Sequence, residues 1–424
     1  EMCLDSSANG SRHWTIKPGH SQSVPINHHS REAVSFRPDG TYGFGWSDNP
    51  IHWQNLLSRP KAYSCTASAN SDIKFFIQFT ITNKKLTPAA ASGNTYPGSL
   101  RVVLTPPIEV TNLLPFNMTY RIYDKSTGKD WKNTLKKGAT SAVHVVEPSR
   151  LLLLSVHPES ESGYDRSDFA VINAPLSASD FSREYQMLLR SPRDGQKLKL
   201  NIHYLEDDTV KGNFCRIQIY TPYLILNKTG LDLHIQSRFS TATSKVQYSD
   251  DHSAMGFGAP KMWSFERDSR SNRANIKVGN SAWSGPLSFD TLGKDSEVVI
   301  HSELGQKSLC LGLHVEKGVG KYHMTKVITL TPRFIIHNEL DRDIYINDPG
   351  SNGVLVVSAG ALHSLEFLYE SSKRQLLASF DKEHWSSPFA IENVGRNHLR
   401  MFNSTDSVDS LLRINILLED ATLF

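Results

Sequence analysis

Every second side chain is apolar along Lys197-Leu-Lys-Leu-Asn-Ile-His-Tyr204, and again from Ile73 to Ile81. A period of two places one face of a strand in a core and the other in water. Met118 to Ile122, Leu231 to Ile235 and Ile344 to Ile346 alternate in the same way and predict further strands. Phe181 to Leu189 carries apolar residues at 181, 185, 188 and 189, which a short helix would also give. Its alignment with Asp295-Ser-Glu-Val-Val-Ile300 assigns it as strand. Asp348-Pro-Gly350 and Pro192-Arg-Asp-Gly195 mark turns between short strands. The polar stretches Pro88 to Pro97 and Ser237 to Ser253 are predicted to loop out.

The strands recur with a period. Arg101-Val-Val-Leu-Thr-Pro106, Arg216-Ile-Gln-Ile-Tyr-Thr-Pro222 and Lys326-Val-Ile-Thr-Leu-Thr-Pro332 each pass through Thr-Pro into a second apolar strand that ends at an Asn. Those residues are Asn112, Asn227 and Asn338, separated by 115 and 111 residues. A second landmark follows about half a period later: Trp46-Ser-Asp-Asn-Pro-Ile51, Trp283-Ser-Gly-Pro-Leu287 and Trp385-Ser-Ser-Pro-Phe389. The repeat around Asn112 lacks the Trp but keeps Ser167-Asp-Phe-Ala-Val-Ile-Asn173, aligned with Ser387-Pro-Phe-Ala-Ile-Glu-Asn393. Two landmarks in one order at one period predict a tandem array. The fold class is therefore all-β, with β-sandwich-like modules of about 110 residues each. The expected boundaries are 1–105 for a partial first module, then 106–221, 222–331 and 332–424. Leu412-Arg-Ile-Asn-Ile-Leu-Leu418 reads as the closing strand that elsewhere precedes Thr-Pro, which would leave the fragment at the threshold of a further module.

Composition narrows the function classes. Lys plus Arg number 46 against 43 acidic residues, and the basic positions are scattered, so no polyanion patch is expected for nucleic acid or an anionic membrane. Cys3, Cys65, Cys215 and Cys310 are far apart and show neither metal nor redox spacing; a reduced, cytosolic setting fits them. The sequons at Asn9, Asn117, Asn227 and Asn403 matter only in a secreted chain. The longest aliphatic run, Leu151 to Leu154, is far short of the roughly 20 residues of a membrane helix.

Chemistry-bearing constellations are not expected. There is no His-Glu-x-x-His, and Gly279-Asn-Ser281-Ala-Trp283 lacks the second Gly of a nucleophile elbow. His20, His28 and His29 fall in a polar loop, and Gly43-Phe-Gly45 and Gly256-Phe-Gly258 read as turn glycines. The expectation is a non-enzyme without cofactor or metal. The repeated Asn reads as an architectural anchor, because its amide both donates to and accepts from backbone. The Trp reads as a core plug before a turn. Thr-Pro marks the joints, since Pro cannot donate to a ladder.

The chain resembles the adaptor-binding repeats of the vacuolar protein sorting-associated protein 13 (chorein) lipid-transfer family. The resemblance is carried by Thr111-Asn-Leu-Leu-Pro-Phe116 with Tyr120-Arg-Ile-Tyr-Asp124, by Lys137-Gly138 with Val143-His-Val-Val-Glu147, and by Thr221-Pro-Tyr-Leu-Ile-Leu-Asn-Lys-Thr-Gly-Leu231. Lys321-Tyr-His-Met-Thr-Lys326, Thr331-Pro-Arg-Phe334 and Leu418-Glu-Asp-Ala-Thr-Leu-Phe424 extend it along the chain. It implies a region of a bridge-like lipid transporter that moves no lipid itself and binds short Pro-x-Pro peptides of adaptor proteins. Those adaptors would hold the transporter, cytoplasmic and peripheral, at membrane contact sites of endosome, vacuole or lysosome, and mitochondrion. The family's characteristic Asn carries over to Asn112, Asn227 and Asn338. The family region is built from six repeats and its peptide binding is attributed to the last two; with the chain expected to stop before the final one, the site would be incomplete here, and its nearest local position is the last module around Asn338, with Trp385 and Phe389. The implied partners are such adaptors and the rest of the transfer chain, with no nucleic acid and only indirect membrane contact. A structural spacer without peptide-binding activity is the alternative reading.

Overall fold

The computed structural model describes residues 2–5, 12–23, 33–52, 61–84, 99–172, 184–205, 215–238, 242–246, 260–266, 272–293, 295–403 and 408–424. The predicted loop Pro88 to Pro97 and the histidines at 28 and 29 lie outside these residues. Among the described residues the regular structure is strand and short 3-10 turns, without α-helix, as the period-two pattern requires. One expected loop is corrected: Thr243–Val246, inside the polar stretch from Ser237 to Ser253, is a strand. Apolar alternation missed it because the inward position before Val246 is Ser244, buried with its hydroxyl bonded to Asp194.

The chain divides into two compact units. The first comprises residues 1–159, 166–188 and 200–220; the second comprises 160–165, 189–199 and 221–424. In the first unit, one sheet runs in the order Asp130–Leu135, Met118–Asp124, Leu152–Pro158, Ala170–Val171. Met118, Ile122, Leu152 and Leu154 point into its core and are fully buried. A four-stranded sheet of the same topology joins Arg12–Trp14, Met2–Asp5, Ala33–Phe36 and Ile51–His52. The second unit repeats the plan twice. Its sheets run Thr243–Val246, Leu233–Ser237, Ala274–Val278, and Val354–Val357, Ile344–Asn347, Gln375–Ser379, Phe389–Ala390. In each, a hairpin supplies the outer pair, and among the described residues the outermost strand pairs on one side only.

The sheets that carry the Asn residues have a non-local construction. Ile108–Asn112 pairs antiparallel with Thr140–Val143 and, on its other side, parallel with Cys215–Tyr220. Tyr223–Asn227 does the same with Lys261–Trp263 and Lys326–Pro332. Each Asn strand therefore closes against a strand about 100 residues later, and a Thr-Pro follows that closing strand before the next Asn strand begins. The first rung is alike in both: Cys215 N–H donates to Pro107 O at 3.1 Å, and Lys326 N–H to Pro222 O at 2.9 Å. In the last repeat Leu423 N–H donates to Arg333 O at 2.7 Å and forms a parallel bridge with Phe334. Leu423 thus holds the first rung of the closing position. The stretch expected to be that strand, Leu412 to Leu418, is instead mostly one arm of a hairpin, Val408–Ile416 on Gly395–Asn403. Both arms alternate, so alternation alone did not separate the two roles.

Candidate interaction site

Asn112, Asn227 and Asn338 are buried and occupy one geometry three times. The Asn338 Nδ2 group donates to the carbonyls of Arg342 (2.8 Å), Val357 (2.9 Å) and Ser358 (3.1 Å), while its Oδ1 accepts from Leu340 N–H at 3.1 Å. Asn112 Nδ2 reaches Phe116 O, Leu135 O and Lys136 O at 2.9, 3.1 and 3.2 Å, with Leu114 N–H on its Oδ1. Asn227 Nδ2 donates to Leu231 O (2.7 Å) and Val246 O (3.1 Å), and its Oδ1 accepts from Thr229 N–H and Oγ1. Val357, Leu135 and Val246 are each the last residue of the one-sided edge strand. The amide therefore does two things: it closes its own turn, and it pins the end of a sheet-edge strand from a second sheet. No other uncharged side chain of that size offers both donors and an acceptor.

The glycine beyond the edge strand completes the arrangement in two repeats. Gly138 N–H donates to Asn112 O and Gly360 N–H to Asn338 O, both at 2.8 Å. Gly138 and Gly360 sit at φ of 72° and 70°, which L side chains rarely adopt.

The second landmark works through its serine. Ser386 Oγ accepts from Ala378 N–H at 3.1 Å and donates to Ser387 O at 2.9 Å. Ser284 does this with Ile276 and Gly285, and Ser167 with Val156 and Asp168. Ser47 accepts from Phe36 N–H at 3.4 Å and donates to Asn49 O. By this geometry Ser167 corresponds to Ser386, one residue from the Ser387 alignment. Sequence reasoning missed the serine because it read the landmark through its Trp and set Ser167 against Ser387; the signal that could have found it is a Ser at the start of all four segments.

The tryptophans are not core plugs. Trp46, Trp283 and Trp385 are half-buried, and cations cover two of them: Arg37 Cζ lies 4.5 Å from the Trp46 ring and Lys277 Nζ 5.1 Å from Trp283. Phe389 packs half-buried on the core of the last repeat. It belongs to the strand opposite Val354–Val357 in the sheet order, so Phe389 is not brought to the edge that Asn338 pins.

Several contacts tie successive repeats within their own units. In the first unit His144 stacks on Phe75 at 4.3 Å with the rings 11° apart, and its Nδ1 lies 2.8 Å from Phe76 O. In the second, Tyr164 OH donates to Gln196 Oε1 and Met262 O, both at 3.1 Å. Ser244 Oγ donates to Asp194 at 2.8 Å. Burial alone would raise the Asp194 carboxyl; hydrogen bonds from Ser191 and Ser244 outweigh it and leave it below its ordinary value. Further along, Arg374 bridges Glu297 (2.5 Å) and Glu392, and Ser308 pairs with Leu368.

His144 gives a pH prediction. Burial pushes its pKa below the ordinary value, against a smaller opposing pull from the Phe76 carbonyl. The unfolded chain then binds more protons than the folded one as pH drops through the ordinary histidine range near 6.5. Stability contributed by this site is complete above that range and lost on acidification. The melting temperature should fall between about pH 7 and 5 more steeply in the parent than in His144→Gln, measured by circular dichroism. Parallel curves would remove His144 as the cause.

Among the described residues no three His, Cys, Asp or Glu converge as a metal-holding group, and no helix is long and apolar enough to cross a membrane. The fold and the thrice-built Asn site define an all-β tandem-repeat protein. Residues 1–424 match the family described as Vacuolar-sorting associated protein 13, adaptor binding domain. The chain belongs to that family. It is 33% identical over 417 residues to the intermembrane lipid transfer protein VPS13 of Chaetomium thermophilum, covering 96% of this chain and 13% of that protein. It is 23% identical over 468 residues to vps13E of Dictyostelium discoideum and 22% over 441 residues to human VPS13D, covering 96% of this chain in each case. The chain spans 11% and 10% of those two relatives.

Proposed function

We propose that this chain is a non-catalytic interaction region that captures Pro-x-Pro peptides of adaptor proteins. Through them it would direct a bridge-like lipid-transfer protein to membrane contact sites, as a cytoplasmic and peripheral component serving endosome, vacuole or lysosome, or mitochondrion. The observation that carries this reading is the pinning of one-sided edge strands by Asn112, Asn227 and Asn338 within a chain matched over its whole length by an adaptor-binding family. Peptides join proteins by adding a strand to such edges: main-chain hydrogen bonds supply affinity and alternate side chains supply specificity. Asn338 is the binding-supporting residue of the last module, with Asn227 and Asn112 in the same role upstream, and Trp385 and Phe389 support that module's fold. The four-module division at 105, 221 and 331 is part of this proposal; the recurrence of the hairpin sheet in each segment supports it.

A second reading, the structural spacer, is favoured by the contacts at His144, Tyr164 and Arg374, which fix successive repeats to one another. Calorimetric titration with a Pro-x-Pro peptide and its Pro→Ala control separates the two. Capture predicts saturable binding to the proline peptide that changes little between 50 and 300 mM salt, roughly, because few charges are engaged. Equal heats for both peptides would leave the spacer.

A further inference from the structure

Asn352-Gly353 is the one Asn-Gly pair among the described residues. It ends the loop 348–353 between Ile344–Asn347 and Val354–Val357, whose ladder begins one residue later with Asn347 opposite Val354. The near half of this loop is fixed. Asp348 Oδ1 accepts from Gly350 N–H at 3.2 Å and its Oδ2 from Tyr369 N–H at 2.6 Å, while Ser351 N–H donates to Asp348 O at 2.7 Å. Gly350 lies so close to Tyr369 that a Cβ on it would stand 2.6 Å from the Tyr369 Cβ. The far half differs. Asn352 and Gly353 are exposed, the Asn352 amide makes no hydrogen bond among the described residues, and Gly353 N–H is held by a rotatable group, the Ser351 hydroxyl, at 2.9 Å. Other asparagines have their amides engaged: Asn112, Asn227 and Asn338 on carbonyls, Asn117 on Glu159 and Asn275 on Ser284 O. Asn280 is exposed and also precedes a small residue, but there Ser281 N–H is tied to a main-chain carbonyl, Val278 O, at 2.9 Å.

We infer that Asn352 is a modification site at which the chain converts an amide into a carboxylate without an enzyme, by attack of the Gly353 nitrogen on the Asn352 side chain. Glycine leaves that nitrogen unscreened by a Cβ and lets the backbone turn toward the attack geometry. Hydroxide removes the Gly353 N–H proton, and the nitrogen then attacks Cγ of Asn352. The N–Cγ bond forms, the Cγ–Nδ2 bond breaks, and Nδ2 takes a proton from water and leaves as ammonia, which returns the hydroxide. Water next opens the resulting cyclic imide at either carbonyl. Opening at Cγ gives aspartate; opening at the main-chain carbonyl gives an isoaspartyl link, which carries one more carbon in the main chain. Either product sets a negative charge two residues from the start of the paired strand's neighbour Leu355 and beside Val354. Asp130–Leu135 and Thr243–Val246 already carry Asp130, Lys132 and Lys245, and charge is the usual device that keeps a sheet edge from pairing with another chain. Val354–Val357 reads Val-Leu-Val-Val and has none. Conversion of Asn352 therefore supplies this edge with the charge that the other two have from the start, and the isoaspartyl form also lengthens the loop just before its first rung.

The test is peptide mapping by mass spectrometry on the whole folded chain aged in heavy-oxygen water, at neutral and at mildly alkaline pH. Heavy oxygen should enter at Asn352 roughly ten-fold faster than at Asn280, because only the former is followed by an unscreened glycine nitrogen outside the main-chain bonding. Labelling should be faster at the higher pH, since the attacking nitrogen must first lose its proton. An isoaspartyl methyltransferase with S-adenosylmethionine as methyl donor then measures the isoaspartyl share of the product. Gly353→Val should suppress the labelling with the melting curve retained, because a Cβ at Gly353 meets only the Ser351 hydroxyl, at 3.4 Å. Gly353→Ala gives the same reading if the valine lowers the melt. Labelling at Asn352 no faster than at Asn280 overturns the inference. So does labelling that a folded Gly353 variant leaves unchanged, or that appears in the parent only after unfolding in denaturant, since the folded loop would then protect the amide.

Discussion

Asn338→Ser should cost about 3 kcal/mol, because it strips a buried amide of its partners at one stroke. Serine is too short to span from the end of the Asn338 strand to Val357 and Ser358, and it cannot supply two N–H donors. The carbonyls of Arg342, Val357 and Ser358 would lose their partner, and the Leu340 N–H would lose its acceptor. Each buried group left unpaired costs about 1–3 kcal/mol, reduced where water can enter. Asn338→Asp should be worse than Ser despite its shape. It keeps the acceptor for Leu340 but turns a carboxylate oxygen toward three carbonyl oxygens, and burial leaves that charge without compensation. Calorimetric melting gives the stability change, and hydrogen exchange locates it: amides of Ile344–Asn347 and Val354–Val357 should exchange faster. Melting and exchange equal to the parent in both variants would end the anchor assignment.

The parts legible in the sequence were those with a local signature. Alternation placed Lys197–Leu205 and Met118–Asp124, and repetition singled out Asn112, Asn227 and Asn338, because a motif kept at one spacing needs no tertiary information to be noticed. What escaped was set by non-local partners. The parallel closure of Ile108–Asn112 on Cys215–Tyr220 joins segments about 100 residues apart, and no pattern within either strand encodes its partner. The tryptophans read as core because an aromatic half-covered by Arg37 or Lys277 has the same sequence appearance as a buried one. Val354–Val357 is the converse case. A short run of aliphatic residues reads as a strand buried on both faces, yet it lies at an edge with two valines in water.

Gly312→Ala should be the second large effect, and it probes how the last repeat seats its terminal hairpin. Gly312 lies in the Lys307–Lys317 strand opposite Thr331. A Cβ there would stand 2.4 Å from Ala421 O, 2.7 Å from Thr331 Oγ1 and 2.8 Å from Ala421 Cβ. The first of these is backbone and cannot rotate aside. Ala421 sits at the tip of the hairpin Leu418–Glu419 with Thr422–Leu423, next to Asp420 at φ 48°. The tip is clamped by Arg333 Nη1 on Ala421 O (2.8 Å) and by Thr422 Oγ1 on Pro332 O (2.9 Å). Relief therefore requires the hairpin to lift, which breaks those bonds and uncovers Ala421, Thr422 and Leu423, all buried. Overpacking of this kind costs about 1–3 kcal/mol before the lost bonds are counted. Leu423 would leave its rung on Phe334, so residues 417–424 should become protease-sensitive and exchange rapidly while Lys326–Pro332 stays protected. Gly285→Ala is the control, since a Cβ there meets nothing within 4 Å and should leave the melt unchanged. If Gly312→Ala leaves 417–424 as protected as in the parent, the hairpin is not held by the fit at Gly312, and the closing rung at Leu423 must be maintained by its hydrogen bonds alone.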